Sequence, residues 1–208
     1  MYKVLFIDAV TTGMNPYRCC LHRLSGIFTV NGKEVKRFEI RMRAYESSDI
    51  YENSLAMCNE TRSSIMRYPD QGKAFADFLA LLDEQVDLHN PKDKVFLGGF
   101  NTDRFEYIFL REWFKRNGNE RFRDYFHVQT FDMMCLANFA ILGHRSALPD
   151  FYLETAAREI GVRTSWDKNY DGLNCAKVSL DMFRVLAQRW GIDELRDFEE
   201  SQDIFRNF

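Results

Sequence analysis

Two carboxylates stand where a folded chain could aim them at one point. Asp8 ends the apolar run Val4-Leu5-Phe6-Ile7 and precedes Thr11-Thr12-Gly13. An unpaired carboxylate after a buried run is costly, so Asp8 needs a cation or a set of backbone donors. As a cation ligand it would suit hard ions such as Mg²⁺ or Mn²⁺, which prefer oxygen donors. As a local cap it would hold the Thr-Thr-Gly turn. Glu106 is the second. It follows Phe96-Leu97-Gly98-Gly99-Phe100-Asn101 at the head of a helical pattern. By position alone it reads as a first-turn acid stabilised by the helix dipole. Asp103, close by, sits at a helix-cap position.

The elements that must position these groups follow from periodicity. Lys3 to Ala9 reads as a short buried strand, Leu24 to Val30 as a second, and Val35 to Met42 as a third. Asn31-Gly32 between the last two is a hairpin signal. Residues 44–70 are polar and irregular and form a long connection. Gln71 to Leu88 carries Phe75, Phe78, Leu79, Leu82 and Val86 at helical spacing. Val95-Phe96-Leu97 reads as a buried strand, and a helix from about 104 to 117 stops at Gly118. Tyr125 to Thr130 is a last strand. Helices follow over 131–142, 153–160 and about 172–190. A meander of three strands, followed by strands alternating with helices, predicts an α/β mixed sheet flanked by helices. Periodicity alone does not select one such arrangement.

Composition narrows the class. With 208 residues the chain has enough for one sizeable core. Hydrophobic residues make up 46% and aromatics 15%, which excludes a disordered chain. No run reaches the ~18 apolar residues of a membrane span, and the start of the chain does not read as a signal peptide. A cytoplasmic protein is expected. Cys19, Cys20, Cys58, Cys135 and Cys175 show no CxxC pair or zinc spacing and read as free thiols. A net charge of −3 argues against tight, purely electrostatic binding of nucleic acid. It does not exclude a nuclease, whose site itself holds carboxylates.

The segment Phe6-Ile7-Asp8-Ala9-Val10-Thr11-Thr12-Gly13 resembles the first motif of the DEDD-type 3′–5′ exonucleases, Asp-x-Glu-Thr-Thr-Gly, with Val10 at the glutamate. Asn101, Phe105, Phe109 and Leu110 match their second motif, with Glu106 at the catalytic Asp; its carboxylate reaches roughly 1.5 Å further. Leu153, Ala157 and Gly161 match the first half of the third. There Tyr170 takes the place of the general base and Cys175 that of the last metal-binding Asp. On the alignment of the branch that uses Tyr, Asn174 falls at that acid. Phe131-Asp132-Met133-Met134-Cys135-Leu136-Ala137 resembles a further family segment, in which Asp132 is a supporting acid. Cys58-Asn59-Glu60-Thr61 shortens an Asn-Gly-Ile-Thr segment that approaches the nucleotide in relatives.

The resemblance spans about residues 3–190. It implies a ribonuclease-H-like exonuclease fold, an exonuclease-like domain over 1–190 and a helical extension or tail over 191–208. It further implies Asp8, Glu106 and Tyr170 as catalytic positions, and Thr11, Thr12, Asn101 and Phe105 as substrate contacts. Asp8 and Glu106 would be metal ligands. Asp171, four residues before Cys175 and so able to share a helix face with it, is a candidate substitute ligand. Mg²⁺ or Mn²⁺ would be the cofactor if the chain cuts, and none need bind if it does not. Two cations at such a site demand several converging carboxylates, and two of the family's four acids are gone. The first expectation is therefore a degenerate exonuclease that binds single-stranded 3′ ends or serves as a scaffold. Arg104, Arg111, Lys115 and Arg116 would be available for weak strand binding. The alternatives are a working exonuclease with rearranged ligands and a protein-interaction module with a protein partner and no nucleic-acid role.

Overall fold

The computed structural model describes residues 1–164 and 170–192. The meander is β1 (Lys3–Thr11), β2 (Leu21–Val30) and β3 (Lys33–Arg41). The β2–β3 turn places Asn31 and Gly32 at positive φ, 46° and 71°, as a tight hairpin of right-handed twist requires. The expected irregular connection contains two short helices, α1 (Glu52–Ala56) and α2 (Arg62–Ile65). Each contributes one buried apolar residue, Leu55 and Ile65, too few to create a periodic signal. Then come α3 (Gln71–Asp83), β4 (Val95–Gly99), α4 (Glu106–Arg116), α5 (Phe122–Tyr125), β5 (Phe126–Asp132), α6 (Met133–Ala140), α7 (Leu153–Glu159) and α8 (Gly172–Arg189). Most of the tail expected over 191–208 lies outside the described residues.

The strands form one five-stranded sheet in the order β3-β2-β1-β4-β5. β1 pairs antiparallel with β2 and parallel with β4, and β4 pairs parallel with β5. The carboxyl ends of β1, β4 and β5 therefore point the same way. That edge is where open α/β sheets commonly place a ligand. The fold is the expected α/β arrangement, a mixed sheet flanked by helices.

Alternation along the strands divides the core. Leu5, Ile7, Leu24 and Phe28 face one way, among Phe75, Phe78, Trp113 and Phe114 of α3 and α4. Val4, Phe6 and Ile27 face the other way, among Ala176, Leu180 and Phe183 of α8. Phe183 meets Phe6 at 5.5 Å and Phe131 at 5.1 Å between ring centroids. Asp8 and Val10 continue the row of Val4 and Phe6, so they point to the α8 side. None of the five cysteines is in a disulfide; Cys135 is exposed and the others are buried. Among the described residues no helix is long and apolar enough to cross a membrane.

Candidate active site at the carboxyl edge of the sheet

Asp8 sits near the end of β1, partly open to solvent but crowded by neighbours. The Tyr170 hydroxyl donates a hydrogen bond to Asp8 Oδ2. The Cys175 thiol also reaches the carboxylate. Gly172, the first residue of α8, makes this approach possible. A Cβ there would lie 2.6 Å from Ser25 Oγ and 3.1 Å from Asp8 Oδ2. Burial pushes the Asp8 pKa from its ordinary 3.8 up to about 6, against the opposing pull of the Tyr170 hydrogen bond and the Arg23 charge.

Glu106 opens α4 and is 5% exposed, with Oε2 buried and unpartnered among the described residues. Burial first, and the Asp8 charge second, hold its pKa well above the usual carboxylate range. Tyr170 and Cys175 are likewise held protonated, again by burial first and the Asp8 charge second. Tyr170 acts here as a hydrogen-bond donor. Asp8, Glu106, Tyr170 and Cys175 thus form one interacting group drawn from β1, α4, α8 and the segment just before α8.

The loop before α4 is set by Asp132 at the end of β5. Its Oδ1 accepts from the Asn101 amide at 3.1 Å and the Met134 amide at 2.9 Å, and its Oδ2 from the Asp103 amide at 3.2 Å. One carboxylate therefore caps α6 and anchors the loop carrying Asn101, which matches the supporting role expected for it. Asn101 sits at φ 68°, a conformation Asn tolerates better than most residues. Asn101 and Phe105 are both partly exposed, and the Phe105 ring packs against Phe109 at 4.9 Å.

Other sequence candidates are engaged elsewhere. Asp171 is exposed, and its Oδ1 caps α8 by accepting from the Leu173 and Asn174 amides at 2.9 and 3.2 Å. Thr11 Oγ1 donates to the Gly13 carbonyl at 2.8 Å. Thr12 is fully buried; its Oγ1 donates to the Asp49 carbonyl at 2.6 Å and accepts from the Cys20 amide at 3.1 Å. The pair holds the turn and the long connection together. Arg116 donates to the carbonyls of Pro16 and Tyr17 at 3.2 and 2.8 Å and lies over the Tyr45 ring. Arg104, Arg111 and Lys115 remain exposed.

One member of the site was not anticipated. Arg23 of β2 pairs across from Val10. It is 6% exposed, and its guanidinium lies 5.3 Å from the centroid of the Tyr170 ring. The signal was present in the sequence as His22-Arg23, two polar residues inside an apolar strand. A bulge explains their adjacency: Val10 opposes Arg23 while Thr11 opposes Leu21, leaving His22 as the extra residue.

The donor set can be judged against a pair of hard cations. Val10 supplies no ligand, and a protonated Cys175 is a poor partner for Mg²⁺. Arg23 adds a positive charge near Asp8. Among the described residues no three His, Cys, Asp or Glu side chains gather at metal-binding spacing. The residues present do not fit a two-cation centre.

No family model and no curated protein sequence matches the chain. Solved structures do. Escherichia coli exonuclease I in complex with a dT13 oligonucleotide superposes with a TM-score of 0.73 at 17% identity, over 92% of this chain and 42% of that one. The fold is shared with exonuclease I. The zinc-bound form of the E. coli ExoI–ssDNA complex gives 0.71 at 17% identity over 95% of this chain. A moderately thermophilic exonuclease I from Methylocaldum szegediense gives 0.70 at 15% identity, covering 94% of this chain and 42% of that protein. The chain thus spans about two fifths of the exonuclease I chains it matches.

Proposed function

We propose that this chain is a nucleic-acid-binding protein of the exonuclease I fold, held back from cutting by the loss of its metal-binding charge. Its ligand class is the single-stranded 3′ end. The observation that carries this reading is the content of the site: Asp8 and Glu106 stand with Val10, which offers no oxygen ligand, and with Cys175, which offers only a thiol. Weakening cation binding in this way removes the means of activating water and stabilising a leaving oxygen. The carboxyl edge and the loop bearing Asn101 and Phe105 stay open for a strand. Stacking on exposed rings and contact with Arg104, Arg111 and Lys115 would supply sequence-independent affinity.

The test uses 5′-labelled DNA and RNA single strands with the wild-type chain and a Val10→Glu, Cys175→Asp double variant, each in Mg²⁺ and in Mn²⁺. The expected result is strand binding by the wild type and shortening from the 3′ end by the double variant alone. Shortening by the wild type that Asp8→Ala abolishes would favour the second reading, a working exonuclease with rearranged ligands. That reading rests on the convergence of Asp8, Glu106 and Tyr170. Failure of both proteins to bind any strand would sink the nucleic-acid reading.

A further inference from the structure

We propose that Arg23, backed by the Tyr170 ring, is a phosphate-binding group that works at this site without a metal ion. The inference rests on the strand-binding reading and names the group that would grip the strand.

Arg23 is almost entirely buried, yet its Nε and one terminal nitrogen, Nη2, have no hydrogen-bond partner among the described residues. A guanidinium cannot discard its charge by losing a proton, and an unpaired buried charge is strongly unfavourable. Such a group is expected to have a partner when the protein functions. The acids Asp8 and Glu60 act on it through space and leave Nε and Nη2 without a hydrogen bond. Glu60 is engaged by the hydroxyls of Ser64 and Tyr68, both at 2.5 Å. Glu39 pairs with Arg41 at 2.9 Å. Asp8 is hydrogen-bonded by Tyr170 and feels the Arg23 charge without a hydrogen bond to its Nε or Nη2. His22, beside Arg23 in the bulge, is fully buried with both ring nitrogens unpartnered among the described residues. Two adjacent buried side chains with unsatisfied nitrogens therefore share one corner of the site.

The position explains the charge. Residues facing each other across an antiparallel pair have Cβ atoms about 4.5–5.5 Å apart. A carboxylate at position 10 would pair with Arg23 and neutralise it. Valine cannot, so the exchange at position 10 releases the guanidinium. A site that would draw in cations becomes one that draws in an anion. The planar fork of Arg suits two oxygens of a phosphoryl group, and the Tyr170 ring restrains its face. Asp8 and Tyr170 are only partly covered, so this corner borders solvent, and a phosphoryl group would reach the covered Nε and Nη2 of Arg23 by displacing the Tyr170 ring.

A phosphoryl group can come from a strand or from free phosphate, and the test separates the two. Binding of a labelled single-stranded oligonucleotide is followed by anisotropy in EDTA over a range of salt. The proteins are wild type, Arg23→Gln, Arg23→Lys, Val10→Glu and, as a surface-charge control, Arg121→Gln. Thermal midpoints of each are recorded with and without inorganic phosphate. The expected result is at least tenfold weaker binding for Arg23→Gln and for Val10→Glu, partial recovery in Arg23→Lys, and little change in Arg121→Gln. The salt slope of Arg23→Gln should fall by about 0.7, the value for one single-strand phosphate contact. Val10→Glu keeps Arg23 and occupies it internally, so it remains informative if Arg23→Gln fails to fold. Strand binding that survives Arg23→Gln, or that requires Mg²⁺, overturns the Arg23 inference and leaves the strand-binding reading standing. No strand binding, with a phosphate-induced rise in midpoint seen in wild type and absent in Arg23→Gln, overturns strand binding and keeps the phosphate site. Neither response overturns both.

Discussion

Replacing Asp8 with asparagine is expected to stabilise the protein at neutral pH. The folded chain raises the Asp8 pKa from 3.8 to about 6, with burial as the leading cause. Between those values the folded chain binds more protons than the unfolded chain, so stability falls as pH rises through that window. Above pH 6 the full penalty is present; below 3.8 it vanishes. At about 1.4 kcal/mol per decade the penalty is about 3 kcal/mol at most. Asp8 keeps part of its surface in water, so about 2 kcal/mol is the better expectation. Asparagine retains an acceptor for the Tyr170 hydroxyl. It also removes the second-largest cause of the raised Glu106 pKa, which adds to the gain. The assay is urea unfolding of wild type and Asp8→Asn across this range, with thermal midpoints alongside. For a chain of this size about 2 kcal/mol corresponds to roughly 4–8 °C. The two proteins should coincide at low pH and separate as pH rises from 3.8 to about 6. A difference independent of pH, or a variant less stable at neutral pH, would refute the claim that burial leaves this carboxylate short of compensation.

Three further outcomes are expected. Burial lowers the His22 pKa from 6.5 to about 4, so the unfolded chain binds more protons in that interval and stability is lost as pH falls through it. His22→Gln should flatten that acid limb, removing up to about 3 kcal/mol of pH dependence in urea titrations. Gly172→Ala should cost about 1–3 kcal/mol by overpacking against Ser25 and Asp8. Adding Ser25→Ala should recover part of that loss, and equal stability of Gly172→Ala and wild type would refute the close approach. Asp132→Ala should cost about 2 kcal/mol through the lost α6 cap and loop anchors. Hydrogen exchange at the Asn101 and Asp103 amides should rise with it; unchanged protection there would show that the loop holds without the carboxylate.

Local pattern sufficed for most elements because each has a periodic apolar face. The meander, the Asn31-Gly32 turn, β4, α3, α4 and α8 were all readable, with ends differing by a few residues. Helices α1 and α2 were not, since one buried residue apiece leaves no period to detect. At the site, Asp8 was visible because a charge stood at the end of a buried run, and Glu106 because Asn101, Phe105, Phe109 and Leu110 around it match a known motif. The roles of Thr12 and Asp171 could not be read in the same way. A hydroxyl bonded to the carbonyl of residue 49 and a carboxylate capping its own helix depend on where the chain returns. Arg23 shows the difference most clearly. Its sequence neighbours mark it only as a polar residue in an apolar strand. Its place opposite Val10, over Tyr170 and near Asp8 comes from strand register, a bulge and the docking of α8. The sequence by itself determined most of the elements and the absence of a carboxylate at positions 10 and 175. Only the tertiary structure decided that a guanidinium stands across from Val10 and near Asp8, because that juxtaposition joins segments up to 162 residues apart through packing that no local pattern encodes.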